Sequence, residues 1–294
     1  MTTTTETASA RFATIEDWST AELVTGIIEG QFTAIGAVQG ASASITQAID
    51  AAAERLAAGG RLIYLGAGTS GRIATQDAAE LPPTFNWPYE RALTLMAGGD
   101  GAFTRAAEGA EDSEDEAVER LKGVSVASND VVVGVAASGR TPYVIAGLRF
   151  AREVGALTIG LFNNRGGKVG EAAEIPILIE TGAELLAGST RMKAGTAQKV
   201  ALNAISTGVM VKLGFVYRGL MVEMRPTNVK LHERAARMVA DLTGADMETA
   251  RKTLTECDGV IKLATVMLAK GVARSQAEAA LERASGNLRN ALAE

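Results

Sequence analysis

Apolar positions change their period near residue 60, and the change divides the chain. From Ser19 to Gly59 they recur at three- and four-residue spacing, over Ala21 to Ile35 and again over Ser44 to Ala58. That spacing predicts helices, with Ser19 or Thr20 as N-cap and Gly59-Gly60 as the stop. Beyond it, short runs of strand formers alternate with helical stretches. Strands are predicted at Leu62–Leu65, Arg91–Met96, Val131–Val135, Leu157–Phe162 and Ile175–Ile179. Helices are predicted from the turn after the first strand to about Glu80, ending at Pro82-Pro83, then over about Phe103–Glu108. A further helix runs from about Pro142 to Val154, its proline in the first turn, where it is tolerated. This alternation predicts an α/β fold, a doubly wound five-stranded parallel sheet covered on both faces. A long helix over about Gly195–Leu213 follows. Residues 236–294 read as three short helices broken at Gly244 and Gly271, without a strand. The expected organisation is a helical layer (1–59), an α/β domain (60–235) and a small helical domain (236–294). Residues 1–15 are threonine-rich, and their very start reads as disordered.

Ligands of such sheets sit beyond the carboxyl ends of the strands, so the turns there carry the candidate chemistry. The first, Gly66-Ala67-Gly68-Thr69-Ser70-Gly71, joins strand to helix. It aims backbone N–H groups and a positive dipole end at an anion, with two hydroxyls added. The second, Ala136-Ala137-Ser138-Gly139-Arg140-Thr141-Pro142, follows the third strand. The last, Gly182 to Lys193, follows the fifth and contains Glu184, Ser189, Thr190 and Arg191. Taken singly, each is a turn with capping hydroxyls. Three on one edge of a sheet predict a phosphorylated small molecule, since a phosphate needs donors from separate loops. Gly66 to Gly71 also matches G-x-G-x-x-G, but the acidic residue that a dinucleotide site wants after the second strand arrives late, at Asp100.

Composition narrows the chemistry. The net charge of -5, with no basic cluster, gives no reason to expect nucleic acid or an anionic membrane as partner. No apolar stretch reaches membrane-spanning length, and the N-terminus lacks a signal-peptide pattern, so a cytoplasmic protein is expected. There is one histidine, His232, and one cysteine, Cys257. Histidine-based metal sites and intramolecular disulfides therefore drop out, and carboxylates remain as the proton-transfer groups. No cofactor is expected.

The turns GTSGR and SGRT resemble the phosphate-contacting segments of the sugar isomerase (SIS) fold. More narrowly, GAELLAGSTRMKAGTAQK, with DAAELPPTF, AEGAEDSEDEA and TNVKLHERA, resembles the N-acetylmuramic acid 6-phosphate etherases, from about Ser19 to the C-terminus. Glucokinase regulatory protein shares that signature but is longer, with two such domains. The chain departs from the family pattern in two places: Ala8-Ser9 stands where an Arg-Asn pair is usual, and Ala136 replaces the first serine of S-x-S-G.

The resemblance implies cleavage of the lactyl ether at C3 of N-acetylmuramic acid 6-phosphate, giving N-acetylglucosamine 6-phosphate and D-lactate in cell-wall amino-sugar recycling. Lactate is eliminated from the ring-opened sugar, and water then adds to the unsaturated aldehyde. The family's two glutamates fall on Glu80 and Glu111. Glu80, at a helix end, suits the general acid, and Glu111, near the start of the next helix, suits the base at C2. A capping box of Ser113 and Glu116 is expected to open that helix. The phosphate shell comprises Gly68, Thr69, Ser70, Ser138, Gly139, Thr141, Ser189 and Thr190, with Glu184 and Lys193 as further substrate contacts. His232 takes ring opening, by analogy with related isomerases that use a neighbouring subunit's histidine. Glu80 follows the glycine turn by roughly 13 Å of helix, which suggests a homodimer with sites at the subunit interface. Two rivals remain: a sugar-phosphate sensor, which needs neither glutamate, and an aldose–ketose isomerase, which needs no acid at C3.

Overall fold

The computed structural model describes residues 3–105 and 107–293. Five strands form one parallel sheet in the order β2-β1-β3-β4-β5: β1 (Leu62–Gly66), β2 (Ala92–Met96), β3 (Val131–Ala136), β4 (Leu157–Phe162) and β5 (Ile175–Leu178). The three central strands are buried throughout, as their unbroken apolar runs require of a sheet covered on both faces. The edge strand β5 alternates, with Pro176 exposed, because an edge leaves the missing N–H without cost.

Helices α4 (Glu114–Gly123), α5 (Pro142–Glu153) and α6 (Lys168–Ala172) cover one face, packing on Ile63, Leu65, Val132 and Phe162. The other face takes α2 (Ser42–Ala57), which packs on β3, β4 and β5. Tyr64 turns to that side by strand alternation. Its buried hydroxyl donates to Asp77 on α3 (Gly68–Phe85) at 2.7 Å. Asp77 also accepts from Asn203 (2.6 Å) and Ser206 (3.2 Å) on α7 (Lys193–Lys212). Helix α1 (Thr20–Gly40) opens on a full capping box of Ser19 and Glu22.

The chain forms two compact units. The first comprises residues 1–79 and 89–207, the second 80–88 and 208–294. The second unit holds the short hairpin β6–β7 (Val216–Tyr217, Leu220–Met221) and helices α8 (Val229–Thr243), α9 (Met247–Glu256), α10 (Ile261–Lys270), α11 (Arg274–Arg283) and α12 (Leu288–Ala293). Its core is built of small side chains, among them Ala235, Ala250, Ala264 and Ala277, with Leu254, Ile261 and Val266. Trp87 meets Phe215 edge to face at 5.6 Å.

Several expectations are corrected. The three helices expected over 236–294 are five, the end of α8 and α9 to α12: left-handed Asp258 and Gly259, and again Ser285 and Gly286, add two breaks. The stretch predicted helical over 103–108 is a 3-10 turn, Asp100–Phe103, followed by turns, with residue 106 outside the described residues. Helix α3 does not stop at Pro82-Pro83 but carries both prolines to Phe85. Leu81 keeps helical geometry despite the proline after it, because it is buried at 2% exposure and packing overrides the local preference. From residue 3 on the N-terminal segment is fastened: Thr4–Glu6 is a 3-10 turn and Thr5 is fully buried. Residues 1 and 2 lie outside the described residues.

Candidate functional site

In a sheet of order 2-1-3-4-5 the connections leave β1 and β3 in opposite directions, opening a crevice between their carboxyl ends. Both serine/threonine turns stand there. At the first, Gly66 and Gly71 touch: a Cβ on Gly66 would stand 2.7 Å from Gly71 Cα, so only glycines allow β1 to turn this sharply into α3. The first intrahelical bond is Gly71 N–H to Ala67 O (3.1 Å), which leaves the N–H groups of Gly68, Thr69 and Ser70 as first-turn donors. At the second turn Gly139 adopts φ +69, a left-handed conformation, and Ser138 Oγ accepts the Arg140 N–H at 3.1 Å. Thr141 is the N-cap of α5, and its side chain makes no cap bond. Burial pushes the Tyr143 phenol well above its usual range, and its hydroxyl donates to Leu95 O (3.1 Å), tying this turn to the end of β2.

The segment after β5 joins the same edge. A Cβ on Gly195 would lie 3.6 Å from Thr69 Cγ2, so the start of α7 abuts the glycine turn. Glu184 is fully buried; its two oxygens accept the N–H groups of Lys193 (3.0 Å) and Ala194 (2.9 Å). It is therefore spent on the N-terminus of α7, whose positive end it neutralises. Lys193 donates its ammonium to Thr181 O at 2.9 Å. Burial lowers its pKa from the usual lysine value, and the Glu184 charge offsets part of that. Of three helix N-termini at this edge, those of α3 and α5 stay open and that of α7 is closed. Among the described residues, the hydroxyls of Thr69, Ser70, Thr141, Ser189 and Thr190 have no hydrogen-bond partner. Arg191 is exposed.

Beside the glycine turn lies a cleft of about 330 Å³ lined by Gly68, Arg72, Met96, Glu108 and Glu111 among others. Glu111 sits in a 3-10 turn, Ala110–Asp112, after left-handed Gly109. The loop carrying it is clamped twice. Arg72 donates to Phe103 O and Ala102 O, both at 2.9 Å. Glu116 accepts from Gly98 N–H (3.2 Å) and Arg120 (2.9 Å). The capping box expected at α4 is thus half made: Ser113 Oγ accepts the Glu116 N–H (3.3 Å), while the Glu116 carboxylate goes to Gly98 and Arg120.

The first unit therefore gathers Gly68, Thr69, Ser70, Ser138, Gly139, Thr141, Ser189, Thr190 and Lys193 on one sheet edge, with Glu111 in the adjoining cleft. Glu80 and His232 belong to the second unit. Glu80 is exposed on α3, which runs five residues past it, so it is not at the helix end that the proline pair suggests. His232 is exposed in the first turn of α8, behind an Asn228 cap. Sequence reasoning missed Arg72, Asn163 and Asn164. The last two form a buried polar pair just after β4, where their position at a strand's carboxyl end was the available signal.

Residues 44–152 match the family model of the N-terminal SIS domain of glucokinase regulatory protein. A solved structure from Bacteroides fragilis, assigned as a phosphosugar isomerase involved in capsule formation, shares the fold at a TM-score of 0.50 and 18% identity, covering 67% of this chain and 94% of its own. Among curated relatives, the N-acetylmuramic acid 6-phosphate etherase of Deinococcus radiodurans is 47% identical over 99% of this chain and 95% of its own. That of Mycolicibacterium smegmatis is 46% identical over 98% and 97%. With such identity over nearly its whole length, the chain belongs to the N-acetylmuramic acid 6-phosphate etherase family.

Proposed function

We propose that the carboxyl edge of the first unit holds the phosphate, and that Glu111 and Glu80 divide the proton transfers of the family's reaction. The chain is a carbon–oxygen lyase that cleaves the lactyl ether of N-acetylmuramic acid 6-phosphate. In the ring-opened sugar the C1 aldehyde acidifies the C2–H bond. Glu111 takes that proton, the electron pair forms C2=C3, and the C3–O bond breaks as Glu80 protonates the departing lactate oxygen. Water then adds across the double bond, placing hydroxyl on C3 and hydrogen on C2. The products are N-acetylglucosamine 6-phosphate and D-lactate.

The observation that carries the reading is the set of unpartnered hydroxyls at the β1/β3 crevice, beside two open helix N-termini and a cleft containing Glu111. An anion is the ligand such donors suit. Thr69, Ser70, Ser138 and Thr141 contact phosphate through hydroxyl and N–H groups. Ser189, Thr190 and Lys193 complete the shell, while Glu184 acts through the helix it caps. The roles of Glu80 and of His232 in ring opening rest on the family resemblance.

The same reading makes the enzyme a cytoplasmic homodimer with sites at the subunit interface. In its support, α1 exposes an apolar stripe, Val24, Ile28, Phe32 and Ile35, at helical spacing, and a second copy of that stripe is a self-complementary partner. Among the described residues no helix is long and apolar enough to cross a membrane.

Glu111→Gln and Glu80→Gln test the division of labour. In deuterated water, Glu80→Gln is expected to retain exchange at C2 of the product while releasing lactate at least about a hundredfold more slowly. Glu111→Gln is expected to lose both. Exchange by Glu111→Gln at the wild-type rate would reassign the base.

A further inference from the structure

The N-terminal turn Thr4–Glu6 lies on the sheet's carboxyl edge, and every polar group of Thr5 is engaged there. Its N–H donates to Asn164 Oδ1 (3.1 Å), and its hydroxyl accepts from Asn164 Nδ2 (3.0 Å). Its carbonyl accepts the N–H of Gly188 (2.8 Å). Asn164 in turn donates to Ala137 O at 2.8 Å. Ala137 immediately precedes Ser138, and Gly188 immediately precedes Ser189. One buried residue, 159 positions from its partner asparagine, is thus bonded directly to the loop after β5 and, through Asn164, to the turn after β3.

A second observation comes from the loop. A Cβ on Gly188 would stand 2.7 Å from Glu6 Oε2, at φ +78, a conformation that side chains rarely adopt. The Glu6 carboxylate is the end of a flexible, exposed side chain and can swing aside, so it is the left-handed backbone at 188 that favours glycine. The contact thus joins a buried threonine in one segment to a left-handed glycine in the other, whose N–H the threonine carbonyl accepts.

We propose that Thr5 is a positioning residue for sugar-phosphate binding, a strap that holds the Ser138 turn and the Ser189–Thr190 loop at fixed separation. The strap touches no reacting atom. It orders the two hydroxyl-bearing segments before the ligand arrives, so binding does not bear the cost of ordering them. This inference rests on the reading of those segments as the phosphate shell. Its consequence is specific: loss of the strap weakens binding of the phosphorylated sugar and leaves the chemical step alone.

The test compares Thr5→Val, Thr5→Ser and Gly188→Ala with Ser138→Ala and Ser189→Ala in the full chain. It measures KM and kcat, the Kd of N-acetylglucosamine 6-phosphate, and the melting temperature. Thr5→Val keeps both backbone bonds and removes the hydroxyl. It is expected to raise KM and Kd about five- to tenfold, the weight of one buried hydrogen bond, with kcat within about twofold. Thr5→Ser is expected to restore both, and Gly188→Ala, which strikes the strap from the loop side, to reproduce the defect. Should Thr5→Val fail to fold, Gly188→Ala carries the test. An unchanged Kd in Thr5→Val and Gly188→Ala, beside weakened binding in Ser138→Ala and Ser189→Ala, overturns the strap and keeps the site. An unchanged Kd in all four overturns the site itself. A loss of kcat matching the rise in KM, or no rescue by Thr5→Ser, also overturns the proposal.

Discussion

Asp130 shows how single side chains hold the sheet that the site depends on. It is nearly fully buried just before β3, and accepts from Arg61 Nε (3.1 Å) and Nη2 (2.6 Å), the Arg61 N–H and the Ala127 N–H (both 2.9 Å). Burial alone would raise its pKa, but the Arg61 and backbone bonds outweigh it and hold the carboxyl below the usual carboxylate range. A depressed folded-state pKa contributes stability that is complete above the unfolded value of about 4 and is lost as pH falls through the folded value. Asp130→Asn is expected to cost about 3 kcal/mol at pH 7, by denaturant unfolding, because it leaves the Arg61 charge short of its partner. The gap between variant and parent should close as pH drops below about 4. At Glu184 the sign concerns a cation instead. Glu184→Gln removes the charge that offsets part of the burial effect on Lys193, so the Lys193 pKa, followed by NMR, should fall further below the usual lysine value.

At the scale of elements, α7 depends on a residue nine positions before it. Glu184→Ala leaves the Lys193 and Ala194 N–H groups without acceptors, and unfolding measurements should show a loss of about 2 kcal/mol. Legibility in the sequence divides along the same line. The five strands, α5, the cap at Ser19 and the glycine turn were readable because each is a local pattern: an apolar run, a small polar residue before a helical period, a proline at the first helical turn. What was not readable depends on distant partners. Glu184 looked like a ligand contact because sequence cannot show that a helix end lies over it. Helix α3 ran through Pro82-Pro83 because tertiary packing, absent from local preference, held Leu81 in place. Thr5 carried no signal at all, since its partner Asn164 is 159 residues away. Position pointed to the candidate site: turns after parallel strands stand at the carboxyl edge of the sheet, whatever their sequence.

At the scale of the whole molecule, assembly and chemistry are each open to a direct test. On assembly, Val24, Ile28 and Ile35 are each 51% exposed and Phe32 is 71% exposed on α1. A paired second copy is the proposed cover, so Phe32→Asp should shift the protein to a monomer in sedimentation experiments and lower activity with it. A variant that stays dimeric would place the interface elsewhere. On chemistry, the most direct measurement is turnover of N-acetylmuramic acid 6-phosphate in water carrying both deuterium and oxygen-18, without added cofactor. Elimination followed by hydration predicts deuterium at C2 and oxygen-18 at C3 of N-acetylglucosamine 6-phosphate, with unlabelled lactate. Oxygen-18 in lactate, or product formed without deuterium at C2, would contradict it.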